Sequence, residues 1–175
     1  MPQKVKPSSR TKNAKILSIV RKHPEIKALL MGRNRAVFVE PNITDRGQAD
    51  GANQAIVGLY DYARNRSVFA LVDPKRARVL SVEETSAHFQ LDEEEQKEAE
   101  VLAAKDARVR AFLGRRRMNP LTRLYFPPET GGGASPHRYA IVFLRPNNSE
   151  RRYAVVDLSE RKVLDVLAPE ALTMD

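Results

Sequence analysis

The chain carries one pattern of residues twice, and this duplication constrains its fold more than any other feature. Residues 70–82 match residues 154–166 without a gap, at an offset of 84 in a chain of 175 residues. Three further matches follow in the same order along the chain: residues 26–30 with 109–113, 37–41 with 124–128, and 55–59 with 140–144. Four elements that recur in one order indicate a duplicated unit of about 70 to 80 residues.

A unit of this length lies near the lower limit of what folds alone, so we expect the two units to bury surface against each other. The pattern predicts five segments: a disordered basic tail over 1–13, a first repeat over 14–85, a linker over 86–91, a second repeat over 92–168, and a C-terminal tail over 169–175.

The first repeat opens with apolar residues at helical spacing. Ile16 and Val20 fall on one face of a predicted helix. Pro24 suits the first position of a second helix, where its missing N–H costs nothing. We expect that second helix to stop near Gly32.

The second repeat has a clearer helix start. Asp92 followed by Glu95 is a capping-box pattern, and the acidic residues after Asp92 suit the positive end of a helix dipole. We expect Asp106 to cap a second, shorter helix. The predicted inner face of the first of these helices consists of Val101, Leu102 and Ala104.

After the helices, each repeat turns to β-structure. Residues 36–40 and 122–126 are short runs that end near proline, as is typical of an edge strand. Asp73 and Asp157 occupy equivalent places before a later turn, where aspartate hydrogen-bonds its own backbone. We therefore interpret them as turn residues and not as a pair of catalytic carboxylates.

The strands of the second repeat are apolar on both faces. Alternate residues point in opposite directions: Tyr139, Ile141 and Phe143 one way, and Ala140, Val142 and Leu144 the other. Helices can cover one face. The other face must meet the sister repeat, a second chain or a ligand, because a sheet that faces water alternates more cleanly.

Most of the net charge of +8 is at the N-terminus. Residues 1–22 carry seven basic residues and no acid, which leaves the rest of the chain near +1. A basic tail on a nearly neutral body differs from a basic domain. We interpret the tail as a disordered arm, and contact with an acidic partner, nucleic acid or lipid stays open.

Few reactive groups are available. The chain has no cysteine, which excludes disulfides, thiolate zinc sites and a cysteine nucleophile. His23, His88 and His137 occur singly, and we interpret each as structural or solvated. The glycines at 131–133 lack the lysine and hydroxyl residue of a phosphate loop and indicate a connector. We therefore predict a protein that is not an enzyme, with no cofactor and no metal.

The N-terminal residues lack the apolar stretch of a signal peptide, and no segment has the length of a membrane span. We expect a soluble, cytoplasmic protein.

The densest basic cluster of the body is a group of arginines. Our predicted partner-binding residues are Arg108, Arg115, Arg116, Arg117, Arg123 and Arg138. A solvated helix end accounts for part of this cluster. The functional alternative is binding of a carboxylate-rich peptide or a phosphate, to which arginine makes bidentate contacts. Nucleic acid is a weaker prediction, because no aromatic residue is interleaved to stack bases.

The order of helix pair, strand, long loop and three-stranded meander resembles the small α+β domains that precede the catalytic domain of copper amine oxidases. The likeness covers most of residues 14–168, and the segments that carry it are 105–117, 124–127, 138–144, 153–158 and 162–164. It implies two tandem cystatin-like repeats, each a helical segment on a three- to four-stranded antiparallel sheet. None of the five tyrosines follows asparagine, and no two histidines are close, so the motifs of the family's quinone and copper centre are missing.

These observations predict a non-catalytic adaptor or accessory protein that binds a peptide or protein. The predicted mechanism is β-augmentation, in which an extended segment pairs with an open sheet edge. Such a protein could present a peptide or a partner to a separate enzyme. A homodimer is a further open alternative. The competing function is binding of nucleic acid or an anionic surface through the basic tail and the arginines.

Overall fold

A computed structural model describes residues 9–30, 32–42, 54–116, 120–127, 137–145 and 150–172. The chain divides into two compact units, Met1–Phe89 and Gln90–Asp175, and the division falls inside the predicted linker 86–91. Three predicted features lie outside the described residues: the first eight residues of the tail, the glycines at 131–133, and Arg117.

The first unit contains two helices followed by four strands. Its elements are α1 (Ser9–Lys22), α2 (Pro24–Leu29), β1 (Asn34–Pro41), β2 (Ala55–Asp61), β3 (Arg66–Asp73) and β4 (Arg78–Thr85). Helix α1 already begins at Ser9, so residues 9–13 are helical and not disordered as predicted. Once its apolar face has docked, extending a helix gains one hydrogen bond per added residue. Helix α2 ends at Leu29, before Gly32.

The second unit repeats this order. Its elements are α3 (Glu93–Lys105), α4 (Ala107–Leu113), β5 (Leu121–Tyr125), β6 (Tyr139–Leu144), β7 (Arg152–Asp157) and β8 (Lys162–Leu167). A short 3-10 helix, Pro169–Leu172, lies in the predicted C-terminal tail.

Each unit has a four-stranded antiparallel sheet, in the orders β1-β2-β3-β4 and β5-β6-β7-β8. The predicted α+β class with two tandem repeats is confirmed. The outer strands are β1 and β4 in the first sheet, and β5 and β8 in the second.

A β-bulge occurs at the same place in both sheets. In the first unit Leu71 lies opposite Ser81 and Val72 opposite Val79, so Leu80 is the extra residue. In the second unit the shift falls between Val155 and Val156, which makes Leu164 the extra residue. The two bulges are 84 residues apart, which is the offset of the sequence match.

The turn before the last strand is also duplicated. Asp73 Oδ1 accepts the backbone N–H of Arg76 at 3.0 Å, and Asp157 Oδ1 accepts that of Glu160 at 2.9 Å. Each turn ends on a residue with positive φ: Ala77 at 51° and Arg161 at 58°. The prediction that both aspartates form turns is confirmed.

The first strands of the two sheets align differently from the sequence match. Pro41 lies opposite Ala55, and Leu124 lies opposite Ala140. Ala55 and Ala140 are equivalent, so Pro41 corresponds to Leu124. The sequence match had paired residue 37 with residue 124, and it is therefore wrong by four residues. Short apolar strands carry few positions that fix their register.

The helices pack on one face of each sheet. In the first unit Ile16, Val20 and Ile26 are buried against alternate residues of β2 and β3. In the second unit the predicted caps are confirmed: Asp92 and Glu95 form a capping box, and Asp106 accepts the N–H of Arg108.

The predicted inner face of α3 is wrong. The helix buries Glu95, Ala99 and Ala103, whereas Val101 is 45% exposed. Two alanines let the helix lie close to the sheet, and Glu95 turns inwards because it has a buried partner.

Candidate functional site

The described members of the predicted arginine set lie in different elements and differ in exposure. Arg115 and Arg116 follow α4 and are exposed. Arg123 lies in the outer strand β5, is exposed, and donates from Nη1 to the carbonyl oxygen of Thr122 at 3.1 Å. The remaining described members, Arg108 and Arg138, make structural contacts.

Arg138 is in the interior, so its assignment to partner binding is wrong. Its side chain and that of Glu95 are both 0% exposed. Arg138 Nε donates to Glu95 Oε1 at 2.6 Å, and Nη2 donates to Oε2 at 2.8 Å. Nη2 also donates to the carbonyl oxygen of Gln90 at 3.2 Å. This bidentate pair links the start of β6 to α3. Removing either partner would leave a buried charge uncompensated, which strongly destabilises a fold.

Arg108 bridges the start of α4 to the outer strand β8. Its Nη1 and Nη2 each donate at 3.2 Å, to the carbonyl oxygens of Leu164 and Val163 respectively. Its guanidinium also lies 3.0 Å from Asp106 and 3.8 Å from Asp165. The side-chain hydrogen bond from Arg108 holds the pKa of Asp106 below its ordinary value, and the same bond raises the pKa of Arg108.

This arrangement closes part of the β8 edge. Two backbone carbonyls at the bulge already bind a side chain, so an incoming strand would have to displace Arg108 to pair there. We call this feature the Arg108 clamp.

In the part of the first unit that the structure describes, the β4 edge has no counterpart to the Arg108 clamp. Arg108 lies two residues after Asp106, which follows α3, and Glu25 lies two residues after His23, which follows α1. Glu25 therefore occupies the position of Arg108, and its charge is of the opposite sign. Within the described ranges, no side chain hydrogen-bonds to the backbone of Val79 or Leu80. Among the described residues, the backbone of β4 at its bulge is thus not bound by a side chain as that of β8 is.

The bulge residue of each outer strand is an exposed leucine. Leu80 is 36% exposed and Leu164 is 41% exposed. A bulge adds an unpaired residue and re-aims its side chain, so both leucines project where the outer strand meets solvent. The pair was visible in the sequence match, but the bulge that exposes it was not.

A groove of about 320 Å³ lies on the face of the first sheet that is turned away from the helices. It is lined by Asn42, Ile56, Phe69, Leu71, Ser81 and Glu83. Ile56 lies opposite Leu71, and Leu71 lies opposite Ser81, so one row of the groove runs across the sheet to the β4 edge. An apolar floor that ends at an open edge can accept side chains of a paired segment.

An aromatic cluster forms the next row of this face. The rings of Phe38, Phe69 and Phe89 meet edge to face, at centroid distances of 4.8 to 6.3 Å. Phe38 lies over Gly58, where a Cβ atom would stand only 2.3 Å from the Phe38 ring. Phe69 belongs to this cluster and also lines the groove, so the cluster borders the groove.

The same face of the second sheet is filled differently. Ile141 and Val155, which correspond to Ile56 and Leu71, are each 5% exposed. Phe143 replaces Gly58 and packs on Tyr153 of the neighbouring strand at 5.1 Å between centroids. The open groove is thus a property of the first unit. The substitution of glycine for phenylalanine was the sequence signal, since glycine within a strand marks a close approach.

The groove carries one acidic group. Glu83 is exposed at its rim, and within the described residues no cation forms an ion pair with it. Its neighbour Glu84 lies 3.0 Å from Arg64 and 3.9 Å from Arg66. A basic side chain of a bound segment would therefore find its counter-charge at Glu83.

The histidines take structural positions. His137 Nδ1 lies 2.6 Å from Oδ2 of the buried Asp157. The ring of His88 lies 5.7 Å from that of Tyr60. His23 precedes α2, but its side chain makes no capping bond. In the described part of the chain, no group of three or more histidine, cysteine or acidic side chains is placed to hold a metal ion.

Neither models of known protein families nor curated proteins give a match to this chain. Among the helices of the described residues, none has the length and apolarity needed to cross a membrane.

Proposed function

We propose that the chain is a non-catalytic adaptor that binds an extended segment of a protein partner along β4. The observation that carries the proposal is the contrast between the outer strands. The carbonyls of Val163 and Leu164 in β8 bind Arg108, while the equivalent backbone of β4 is open among the described residues. Main-chain pairing would supply affinity, and the groove would select side chains.

The chemistry of the groove defines the segment that fits. Ile56 and Leu71 offer an apolar floor, and Glu83 offers a negative charge at the rim. We expect a partner segment with alternating apolar residues and one lysine or arginine that reaches Glu83. A partner rich in carboxylates, as the arginine cluster suggested, would be repelled at this edge.

The test uses short random peptides displayed on phage, selected against the full chain and then synthesised with a fluorescent label. We expect selected peptides to slow hydrogen exchange of the β4 amides. Ser81→Arg places a bulky charged side chain on the groove row and should weaken binding about tenfold or more, which corresponds to roughly 1.4 kcal/mol.

The matched control is Asp165→Arg, at the equivalent position of β8 in the second unit, which should leave binding unchanged. Peptides that bind equally well to Ser81→Arg, or that protect β8 instead of β4, would contradict the proposal.

A second function, binding of nucleic acid or an anionic surface, is favoured by helix α1. Its side chains Lys12, Lys15, Arg21 and Lys22 are exposed, and the helix contains no acidic residue. Binding through phosphates would lose orders of magnitude in affinity between about 50 and 200 mM salt, whereas strand pairing and apolar burial are weakly screened. A salt titration with a random duplex, a single strand and a selected peptide separates the two functions.

The resemblance to domains of copper amine oxidases, the cytoplasmic location, and the absence of enzyme activity and of a cofactor remain predictions. They are compatible with an adaptor and do not depend on β4.

A further inference from the structure

We propose that β4 also pairs antiparallel with β4 of a second copy of the chain, so that two first units form one continuous sheet. The inference uses the same open edge as the proposed function and concerns the regulation of that edge. It does not depend on the identity of the protein partner.

The bulge gives β4 a symmetric arrangement of side chains. Val79 and Val82 both pack against the core on the helix side of the sheet. Arg78 and Glu83 both lie on the opposite face, since they stand opposite Asp73 and Phe69 of β3. Each of these two pairs is symmetric about the bond between Leu80 and Ser81.

A two-fold axis through that bond would bring complementary groups together. Val79 would lie opposite Val82 of the second copy, and Arg78 opposite Glu83 of the second copy. In a two-fold interface every such contact occurs twice. Opposite charges and β-branched residues directly across an antiparallel pair stabilise it. This match depends on the bulge. In a strand without the extra residue Leu80, the residues placed opposite each other by an axis through this bond would point to opposite faces of the sheet.

The two charged groups are available for such pairing. Glu83 has no ion-pair partner within the described ranges, and Arg78 is exposed. Arg78 faces Asp73, whose carboxylate already accepts the backbone N–H groups of Lys75 and Arg76 at 3.0 Å. Glu83 of a second copy would therefore be the acidic group on the open side of Arg78.

The outer strand of the second unit lacks this property. Around the equivalent bond between Leu164 and Asp165, the valines recur as Val163 and Val166, but Lys162 would meet Leu167. The Arg108 clamp also occupies the carbonyls of Val163 and Leu164. Self-pairing is thus expected at β4 and not at β8.

The inference predicts that dimerisation and peptide binding exclude each other, because both use the β4 backbone. A selected peptide should shift the full chain from dimer to monomer as its concentration rises. The dimer would thereby keep the outer strand β4 covered until a partner binds.

Sedimentation equilibrium of the full chain tests the interface with two charge reversals. Arg78→Glu and Glu83→Arg each place like charges opposite each other twice, and each should weaken self-association at least about tenfold. An equimolar mixture of the two variants restores both attractive pairs, so we expect it to form a heterodimer. The double variant Arg78→Glu/Glu83→Arg should dimerise as the unmodified chain does.

The mixture separates an interface effect from misfolding, since a variant that had lost its fold would not recover by mixing. Lys162→Glu, at the position of Arg78 in the second unit, is the matched control and should leave the dissociation constant unchanged. A chain that stays monomeric at every concentration, or a mixture that fails to associate, would overturn the dimer. If the same monomeric chain still binds a selected peptide along β4, the proposed function stands without the dimer.

Discussion

The two units share the same frame of helices, strands and turns, but they bury different side chains. Helix α1 buries Ile16 and Val20. At the equivalent positions, counted back from the residue that follows each helix, α3 buries Ala99 and Ala103. The largest fully buried side chain among the described residues is Arg138, in the second unit. The same arrangement of helices and strands is therefore compatible with an aliphatic helix face and with a buried ion pair. What the two units share is the strand order, together with a turn and a bulge that recur 84 residues apart.

The units also differ in how they treat the outer strand. In the second unit Arg108 binds two carbonyls of β8, whereas in the first unit no described side chain hydrogen-bonds to the equivalent backbone of β4. This contrast is the basis of the proposal that β4, and not β8, binds a further strand. Four substitutions probe the differences between the two units.

The largest effect is expected from the buried ion pair. Arg138→Met leaves Glu95 charged and without its bidentate partner, and should lower the free energy of unfolding by about 3 to 5 kcal/mol. Urea denaturation measures the loss. The matched control is Arg64→Met in the first unit, which removes an exposed ion pair with Glu84 and should cost no more than about 1 kcal/mol.

The double variant Arg138→Met/Glu95→Leu should recover much of this stability, because no buried charge is left unpaired. If Arg138→Met alone were as mild as Arg64→Met, the buried pair would not distinguish the second unit from the first.

The next effect concerns the aromatic cluster of the first unit. Gly58→Ala places a Cβ atom 2.3 Å from the Phe38 ring and should destabilise the unit by about 1 to 3 kcal/mol. Thermal unfolding provides the measurement. In the background of Phe38→Ala the same change should cost less, since the clash is then gone. If Gly58→Ala lowered the stability equally in both backgrounds, contact with the Phe38 ring would not be the cause of the loss.

A smaller effect is expected at the cap of α4. Asp106→Ala removes the acceptor for the N–H groups of Arg108 and Val109 and should cost about 1 kcal/mol. Asp106→Asn keeps a capping oxygen but removes the negative charge, so it measures what the charge contributes to stability. Since the folded pKa of Asp106 lies below its ordinary value, the stabilisation by its carboxylate is present above an unfolded pKa of about 4.

That stabilisation is lost as the pH falls through the folded pKa. The difference in free energy of unfolding between the unmodified chain and Asp106→Asn should therefore be constant near neutral pH and shrink below about pH 4. A difference that grew on acidification would contradict the direction of the pKa shift.

The smallest effect on stability is expected from opening the Arg108 clamp. Arg108→Gln removes exposed contacts and should cost only a few tenths of a kcal/mol. The carbonyl ¹³C resonances of Val163 and Leu164 should move, because their hydrogen-bond donor is lost. Arg110→Gln, an exposed arginine on the same helix, is the control and should leave both resonances in place. Unchanged resonances in Arg108→Gln would mean that the clamp is not formed in solution.

Local signals in the sequence predicted the duplicated frame well. The capping box at Asp92 and Glu95 and the turns at Asp73 and Asp157 follow from short-range hydrogen bonds, which the residue types alone indicate. The inner face of α3 could not be predicted in this way. Its two alanines look no more apolar than Val101, and the group that turns the helix is Arg138, a partner 43 residues away.

The position of the proposed site could not be predicted from the sequence. An open sheet edge was expected, but its choice depends on where the Arg108 side chain goes and on a bulge of one residue, and neither is visible in a hydrophobic pattern. The arginine cluster of the sequence is not one cluster of contacts in the structure, because charged residues that are close in sequence lie in different elements. Arg108 reaches β8, Arg138 reaches α3, and Arg123 bonds to its own strand.

The close approach of Phe38 to Gly58 has a consequence for how such chains diverge. In the second sheet the corresponding residues are Leu121 and Phe143, so the large aromatic ring has moved from the outer strand to its neighbour. Neither position can change freely, because a side chain at one removes the room for a ring at the other. In related sequences these two positions should therefore vary as a linked pair, large with small, and a lineage that exchanges them must pass through an intermediate with either a cavity or a clash.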